Sequence, residues 1–70
     1  MDTQPTYKVT ELVGTSTQGV DDAIRHGLTR AASTLRNLDW FEVTAIRGQI
    51  AEGTTKQFQV VMKVGFRLEE

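Results

Sequence analysis

The chain has 70 residues, no cysteine, and eight lysines and arginines against nine aspartates and glutamates, for a formal net charge of −1. The missing cysteines exclude disulfides, thiolate metal sites and thiol nucleophiles, and the missing basic excess disfavours nucleic acid as a partner. Neither a signal-peptide pattern nor a run of 18 apolar residues is visible, so we expect a soluble cytoplasmic protein with no membrane segment.

This length predicts a single domain over residues 1–70, with a loose N-terminus over residues 1–6. A domain of this size buries only about 60% of the surface that its unfolded chain exposes. Because no disulfide can compensate, we expect the chain to assemble into a homo-oligomer.

The first predicted elements are a strand and a helix. Residues 7–13, YKVTELV, are rich in β-branched and aromatic residues and stop at Gly14, which is typical of a strand. The following GTSTQGVDD offers serine and threonine N-caps, and Asp21 and Asp22 suit the first turn of a helix. Apolar or small residues then recur at spacings of three and four, which predicts one helix stripe: Val20, Ile24, Gly27, Leu28, Ala31, Leu35 and Leu38. The small members of this stripe should let the helix lie close to a sheet.

Two long strands follow, over residues 40–51 and 57–68, separated by EGTTK with Gly53 as a turn residue. In the last strand every even position is apolar: Phe58, Val60, Met62, Val64, Phe66 and Leu68. Period two therefore predicts that these side chains face the helix. The expected fold class is α+β, with a β-α-β-β protomer whose three-stranded antiparallel sheet packs on one helix.

The face of the second strand decides where the only tryptophan points. Phe41, Val43 and Ala45 form its more apolar set and should face the helix. Without a β-bulge, alternation then places four residues on the other face, together with Gln59, Lys63 and Arg67: Trp40, Glu42, Thr44 and Ile46. An exposed tryptophan on so small a protein indicates an interface or a stacking site for a planar ligand.

Element lengths support assembly independently. A strand of about 12 residues spans roughly 40 Å, whereas a helix of about 18 residues covers only about 27 Å. One helix cannot cover such a sheet, so we expect other copies of the chain to cover the rest.

The sequence resembles the dodecins, a family of small flavin-binding proteins, from Tyr7 to Leu68. The resemblance lies in ELVGTS at the end of the first strand, LDWFEV and IRG in the second, and FQVVMKVGFRLE in the last. It implies a homododecamer, a hollow shell with cubic 23 symmetry, that holds flavins in pairs at subunit interfaces. By resemblance, Trp40 and its symmetry mate would sandwich two flavins, and Gln59 would hydrogen-bond the pyrimidine edge. The implied function is flavin storage and photoprotection by quenching, without turnover.

The resemblance to bacterial members, through IRG and GFRLE, favours flavin mononucleotide (FMN), with riboflavin or FAD as further possibilities. Arg47 and Arg67 could then contact the phosphate. Either arginine could instead join subunits through Glu42, Glu69 or Glu70. Some bacterial relatives also bind coenzyme A, for which the sequence indicates no residues.

Other candidate residues have ordinary structural explanations. His26 lies outside the apolar stripe with no second histidine nearby, which disfavours a metal site or a general base. Ser16 and Ser33 show no acid or base partner, and GTSTQG lacks the spacing of a phosphate-binding loop. We therefore expect no catalytic residues and no metal. The alternatives to flavin storage are a structural or interaction module without flavin and, less favoured, an enzyme such as a flavin reductase, for which no dinucleotide fingerprint is present.

Overall fold

The computed structural model describes residues 4–69. Strand β1 covers Tyr7–Ser16, helix α1 covers Val20–Ala32, strand β2 covers Leu38–Ala51 and strand β3 covers Thr54–Arg67. Residues 1–3 of the predicted loose N-terminus lie outside the described residues; residues 4–6 are exposed and belong to no helix or strand. Within residues 4–69, no helix is long and apolar enough to cross a membrane.

The strands form one antiparallel sheet in the order β1-β3-β2, so the last strand is the central one. The predicted fold class is confirmed. The β2–β3 hairpin turns on two residues, Glu52 at φ 54° and Gly53 at φ 75°, because the favoured two-residue turn needs positive φ at both positions. The predicted five-residue separation was too long, and β3 begins at Thr54 rather than at residue 57.

Helix α1 ends six residues before the predicted stripe does, and Leu38 instead begins β2. The hydroxyl of Ser33 donates to the carbonyl oxygen of Arg30 at 2.6 Å, and that of Thr34 donates to Ala31 at 3.5 Å. Such local bonds compete with continuation of a helix. Asn37 then adopts φ 62°, which turns the chain toward β2.

The turn between β1 and α1 is organised by the buried hydroxyl of Ser16. Its oxygen accepts hydrogen bonds from the backbone N–H groups of Gln18, at 2.8 Å, and Gly19, at 3.4 Å, and donates to Asp22 Oδ2 at 2.7 Å. The helix has no side-chain N-cap, since Gly19 occupies that position. Ser16 therefore orders the turn that leads into the helix, by binding the N–H groups of the two residues before its first turn and the carboxylate of Asp22 within that turn.

The sequence predicted that β1 stops at Gly14, but the strand continues through this residue to Ser16. Gly14 lies against the backbone of the helix, where a Cβ atom would collide with the carbonyl oxygen of Ala23. The glycine thus marks a close approach of strand and helix rather than a strand end.

The core lies between β3 and α1. Val60, Met62 and Val64 are fully buried against Ala23, a core residue that the sequence pattern did not single out. Five further apolar residues pack on this cluster: Leu12, Val20, Ile24, Leu28 and Leu38. The predicted inward face of β3 is confirmed at its centre, but Phe58 and Phe66 are only half-buried and Leu68 lies exposed beyond the strand.

The helix covers only part of the sheet. Its 13 residues span about 20 Å, whereas each hairpin strand of 14 residues spans about 46 Å. The helix packs mainly on β1 and β3, so the helix-side residues of β2 stay exposed, including Phe41 at 45% and Ile46 at 59%. The predicted incomplete cover is therefore confirmed, and it is larger than the predicted lengths implied.

Candidate functional site

Trp40 lies on the sheet face opposite the helix, here called the open face. Trp40 pairs with Gly65 and Glu42 pairs with Lys63, whereas Phe41 pairs with the buried Val64. Directly paired residues share a face, so the indole projects away from the core of its own chain. The prediction that Trp40 shares a face with Gln59, Lys63 and Arg67 is confirmed.

A β-bulge changes the second half of β2. The register shifts between Val43 and Ala45, with Thr44 as the extra residue, and the Thr44 hydroxyl donates to the carbonyl oxygen of Val61 at 3.2 Å. Beyond the bulge, Ala45 pairs with Val61 and Ile46 with the buried Val60. The predicted faces of Ala45 and Ile46 were therefore wrong, because one inserted residue reverses the alternation.

The same bulge brings Arg47 to the open face. Strict alternation from Phe41 would put Arg47 on the helix side, but the shifted register pairs it directly with Gln59. A pattern of period two contains no mark of where a bulge will occur, so the sequence could not predict this pairing.

The candidate residues form two groups along the open face. Trp40 lies opposite Gly65, with Arg67 two residues farther along β3 on the same face. Arg47 and Gln59 form the second group, near the hairpin end. Gly65 and Gln59 are six residues apart in one strand, which corresponds to about 20 Å. A single chain therefore does not bring Trp40 and Gln59 together.

The indole of Trp40 lies across Gly65. A Cβ atom built on Gly65 would stand 2.7 Å from indole Nε1 and would overlap Cε2 and Cζ2. Gly65 is on the face away from the helix, yet it is buried, because the indole covers it. The tryptophan itself remains 43% exposed. Gly65 was not among the predicted site residues, and the signal for it was a glycine inside an otherwise regular strand.

Gln59 lies in a polar group at the hairpin end of the open face. Its side-chain Nε2 donates to Gln57 Oε1 at 3.0 Å, which holds the amide while its own oxygen makes no bond within residues 4–69. Thr15 on β1 and Arg47 on β2 are its two cross-strand neighbours. The group offers one guanidinium and several neutral donors and acceptors.

Neither Arg47 nor Arg67 forms an ion pair within the described part of the chain. Glu69, one of the carboxylates considered for them, pairs with Arg36 at 3.3 Å, and Glu70 lies outside the described residues. Arg67 lines a cavity of about 680 Å³ at the chain ends, together with Gln4, Pro5, Thr6, Asn37, Leu68 and Glu69. A larger cavity of about 810 Å³ between β1 and α1 contains none of the predicted site residues.

Ser16 has a carboxylate partner, which corrects the prediction that it lacks one. Asp22 Oδ2 accepts from the Ser16 hydroxyl at 2.7 Å and lies 3.5 Å from His26 Nε2, while His26 Nδ1 is 3.2 Å from the carbonyl oxygen of Thr15. The aspartate stands between serine and histidine, so the imidazole cannot take the hydroxyl proton. This order differs from a nucleophilic triad, in which histidine is central. No group of three metal-ligating side chains occurs among residues 4–69.

Comparison with known proteins identifies the family. The dodecin family model matches residues 6–69. The chain is 61% identical to the dodecin of Thermus thermophilus over 64 residues, which cover 91% of this chain and 93% of that protein. The chain belongs to the dodecin family. Membership assigns it, at the level of the family, to the flavin-binding proteins.

Solved dodecin structures share the whole fold. The dodecin from Streptomyces davaonensis is 59% identical, with a TM-score of 0.95 over 97% of this chain and all of that one. The dodecin from Streptomyces coelicolor is also 59% identical, with a TM-score of 0.94 over 99% of each chain. These homologous structures indicate a homo-oligomer, which agrees with the uncovered apolar surface of the single chain.

Proposed function

We propose that this protein stores flavin in stacked pairs between the Trp40 side chains of symmetry-related protomers, within a homododecamer. The observation that supports this most is the placement of Trp40 on the open face, supported from below by Gly65 and 43% exposed. An indole held in this way presents an apolar aromatic surface for stacking a planar ring.

The separation of the two residue groups supports a site made by several protomers. Trp40 and Gln59 are about 20 Å apart along one sheet, which is longer than a three-ring heterocycle. A ligand that contacts both must therefore take them from different copies. The open face also carries exposed apolar residues beside these groups, Tyr7, Val9 and Val13, which neighbouring protomers would cover.

Each polar residue then has a distinct role. The Gln59 amide has a donor and an acceptor and would bond the pyrimidine edge of the ring. Arg67, about 7 Å along β3 from Gly65, would contact the phosphate of FMN, because a guanidinium binds phosphate in a bidentate way. Arg47 lies beside Gln59 and is the second candidate for that contact. Riboflavin would use the same stacking without the phosphate contact. For coenzyme A no residue of this chain is assigned.

Storage with quenching follows from the indole. Trp40 would hold the ring by stacking, and a bound flavin would supply an electron-poor aromatic system there. In that contact the indole could lend an electron to the light-excited ring and recover it, so that excitation would end without net chemistry. In this proposal Trp40 binds and quenches the flavin, and no turnover is expected.

Fluorescence titration of the apoprotein with riboflavin and with FMN tests the proposal. Trp40→Ala should weaken the binding of both ligands about fivefold to 150-fold, since aromatic stacking on a flat heterocycle contributes about 1–3 kcal/mol. Gln59→Ala should weaken both ligands as well. Phe41→Ala is the matched control, because Phe41 is a neighbouring aromatic with 45% exposure on the opposite face.

Mass measurement of each variant at the titration concentration separates lost binding from lost assembly. Unchanged affinity of the assembled Trp40→Ala variant for both flavins contradicts the proposed site. Assembly of the wild type without affinity for either flavin would instead favour a structural or interaction module, which the extensive exposed apolar surface could also serve.

A further inference from the structure

Gly65 lies near the C-terminal end of β3, the central strand of the sheet, between the buried Val64 and the half-buried Phe66. Its two cross-strand neighbours are Val9 and Trp40, so it occupies the middle of a three-residue row on the open face. Glycine is disfavoured inside strands because it loses the most backbone freedom on folding and contributes no side chain to packing. Such a position calls for a physical reason.

The reason lies in the indole of Trp40. A Cβ atom on Gly65 would overlap two indole carbons and approach Nε1 to 2.7 Å. The pairs Trp40–Gly65 and Phe41–Val64 hold the backbone of Trp40 in the ladder on its C-terminal side, whereas the register shifts just before it, between Leu38 and Trp40. Because the atoms nearest the added methyl group all belong to the indole, that group would displace the ring by lifting or rotating it.

We propose that Gly65 is a positioning residue that sets the height and tilt of the Trp40 ring above the sheet. In an assembly, the gap between two facing indoles depends on how deeply each ring lies on its own sheet. Gly65 thereby sets the width of the slot for planar ligands. The inference rests on the proposed stacking function and adds a residue that contacts no ligand.

The experiment compares Gly65→Ala with Trp40→Ala, the double variant, and Gly19→Ala. Gly19 is the control for a glycine-to-alanine change, because no atom lies within 4 Å of a Cβ built there and its φ of 169° suits any residue. In a riboflavin titration, Gly65→Ala should weaken the affinity about tenfold or more, and Gly19→Ala should change it by no more than about twofold. Tryptophan emission and near-ultraviolet circular dichroism of the ligand-free protein should shift for Gly65→Ala and stay unchanged for Gly19→Ala, whereas the two variants with Trp40→Ala contain no tryptophan to report.

A double-mutant cycle on the urea midpoint, measured without ligand, isolates the indole. Gly65→Ala should lower the midpoint in the wild-type background and leave it unchanged or raised in the Trp40→Ala background, where the ring is gone. If Gly65→Ala prevents folding and the double variant folds, the added methyl group is incompatible with the indole, which supports the proposal. If Trp40→Ala folds but Gly65→Ala and the double variant both fail to fold, the methyl group collides with something other than Trp40 and the proposal is overturned.

The proposal is also overturned if Gly65→Ala binds riboflavin as tightly as the wild type does. It is overturned as well if Gly65→Ala lowers the urea midpoint equally in the wild-type and Trp40→Ala backgrounds. Failure of the stacking function has a different signature. In that case Trp40→Ala binds riboflavin as tightly as the wild type, while the ligand-free cycle still reports whether Gly65 seats the ring.

Discussion

Replacing Met62 by alanine should remove a large share of the stability of the fold. Met62 is fully buried in the central strand. Its terminal methyl carbon lies between two glycines, 3.1 Å from a Cβ position at Gly14 and 3.0 Å from one at Gly27. The side chain thus fills the space that these glycines leave where β1 and α1 approach most closely.

The expected loss in the free energy of unfolding depends on how far the surrounding atoms can move into the cavity left by Met62→Ala. Met→Ala at a buried position costs about 2–5 kcal/mol, and the cost rises with the volume of the cavity that remains. Here two walls are backbone at Gly14 and Gly27, which cannot move inward without breaking the sheet or the helix. We therefore expect about 3–5 kcal/mol, a large part of the roughly 5–15 kcal/mol of a typical domain.

Urea denaturation at a fixed protomer concentration measures this loss, since the stability of an oligomer depends on concentration. Met62→Leu, which nearly conserves volume, should cost less than about 1.5 kcal/mol. Lys63→Ala, at the next residue but exposed on the open face, should change the free energy by no more than about 0.5 kcal/mol. A loss below about 1 kcal/mol in Met62→Ala would show that the cavity closes and would refute the reasoning.

Three further changes test other parts of the structure. Ser16→Ala should destabilise the protein by about 1–2 kcal/mol, because the buried hydroxyl bonds Asp22 and two backbone N–H groups; an equal loss on thermal unfolding of the exposed Thr17→Ala would contradict this. Gly53→Ala should cost about 1 kcal/mol in urea denaturation, since φ is 75° there, and an unchanged midpoint would mean that the turn relaxes. Arg67→Ala should weaken the affinity for FMN about tenfold or more in fluorescence titration and leave the affinity for riboflavin unaffected. Equal losses of affinity for both ligands would exclude a contact between Arg67 and the phosphate.

Much of the open face could be predicted because strand alternation is local. The period of two in β3 placed its central even residues in the core, and the apolar residues of early β2 placed Phe41 and Val43 on the helix side. Trp40 then had to point outward. Arg47 is different, since its face depends on the extra residue at Thr44, which alternation alone does not reveal.

The amino-acid sequence by itself determined the fold class, the start of the helix and most of its inward stripe, though not the buried Ala23, and the outward direction of Trp40. These follow from periodicity and turn chemistry, which act over a few residues. Only the tertiary structure decided that the helix stops at Ala32, that Arg47 meets Gln59, and that the indole lies on Gly65. Those features depend on strand register and on contacts between residues distant in sequence, which no local pattern records.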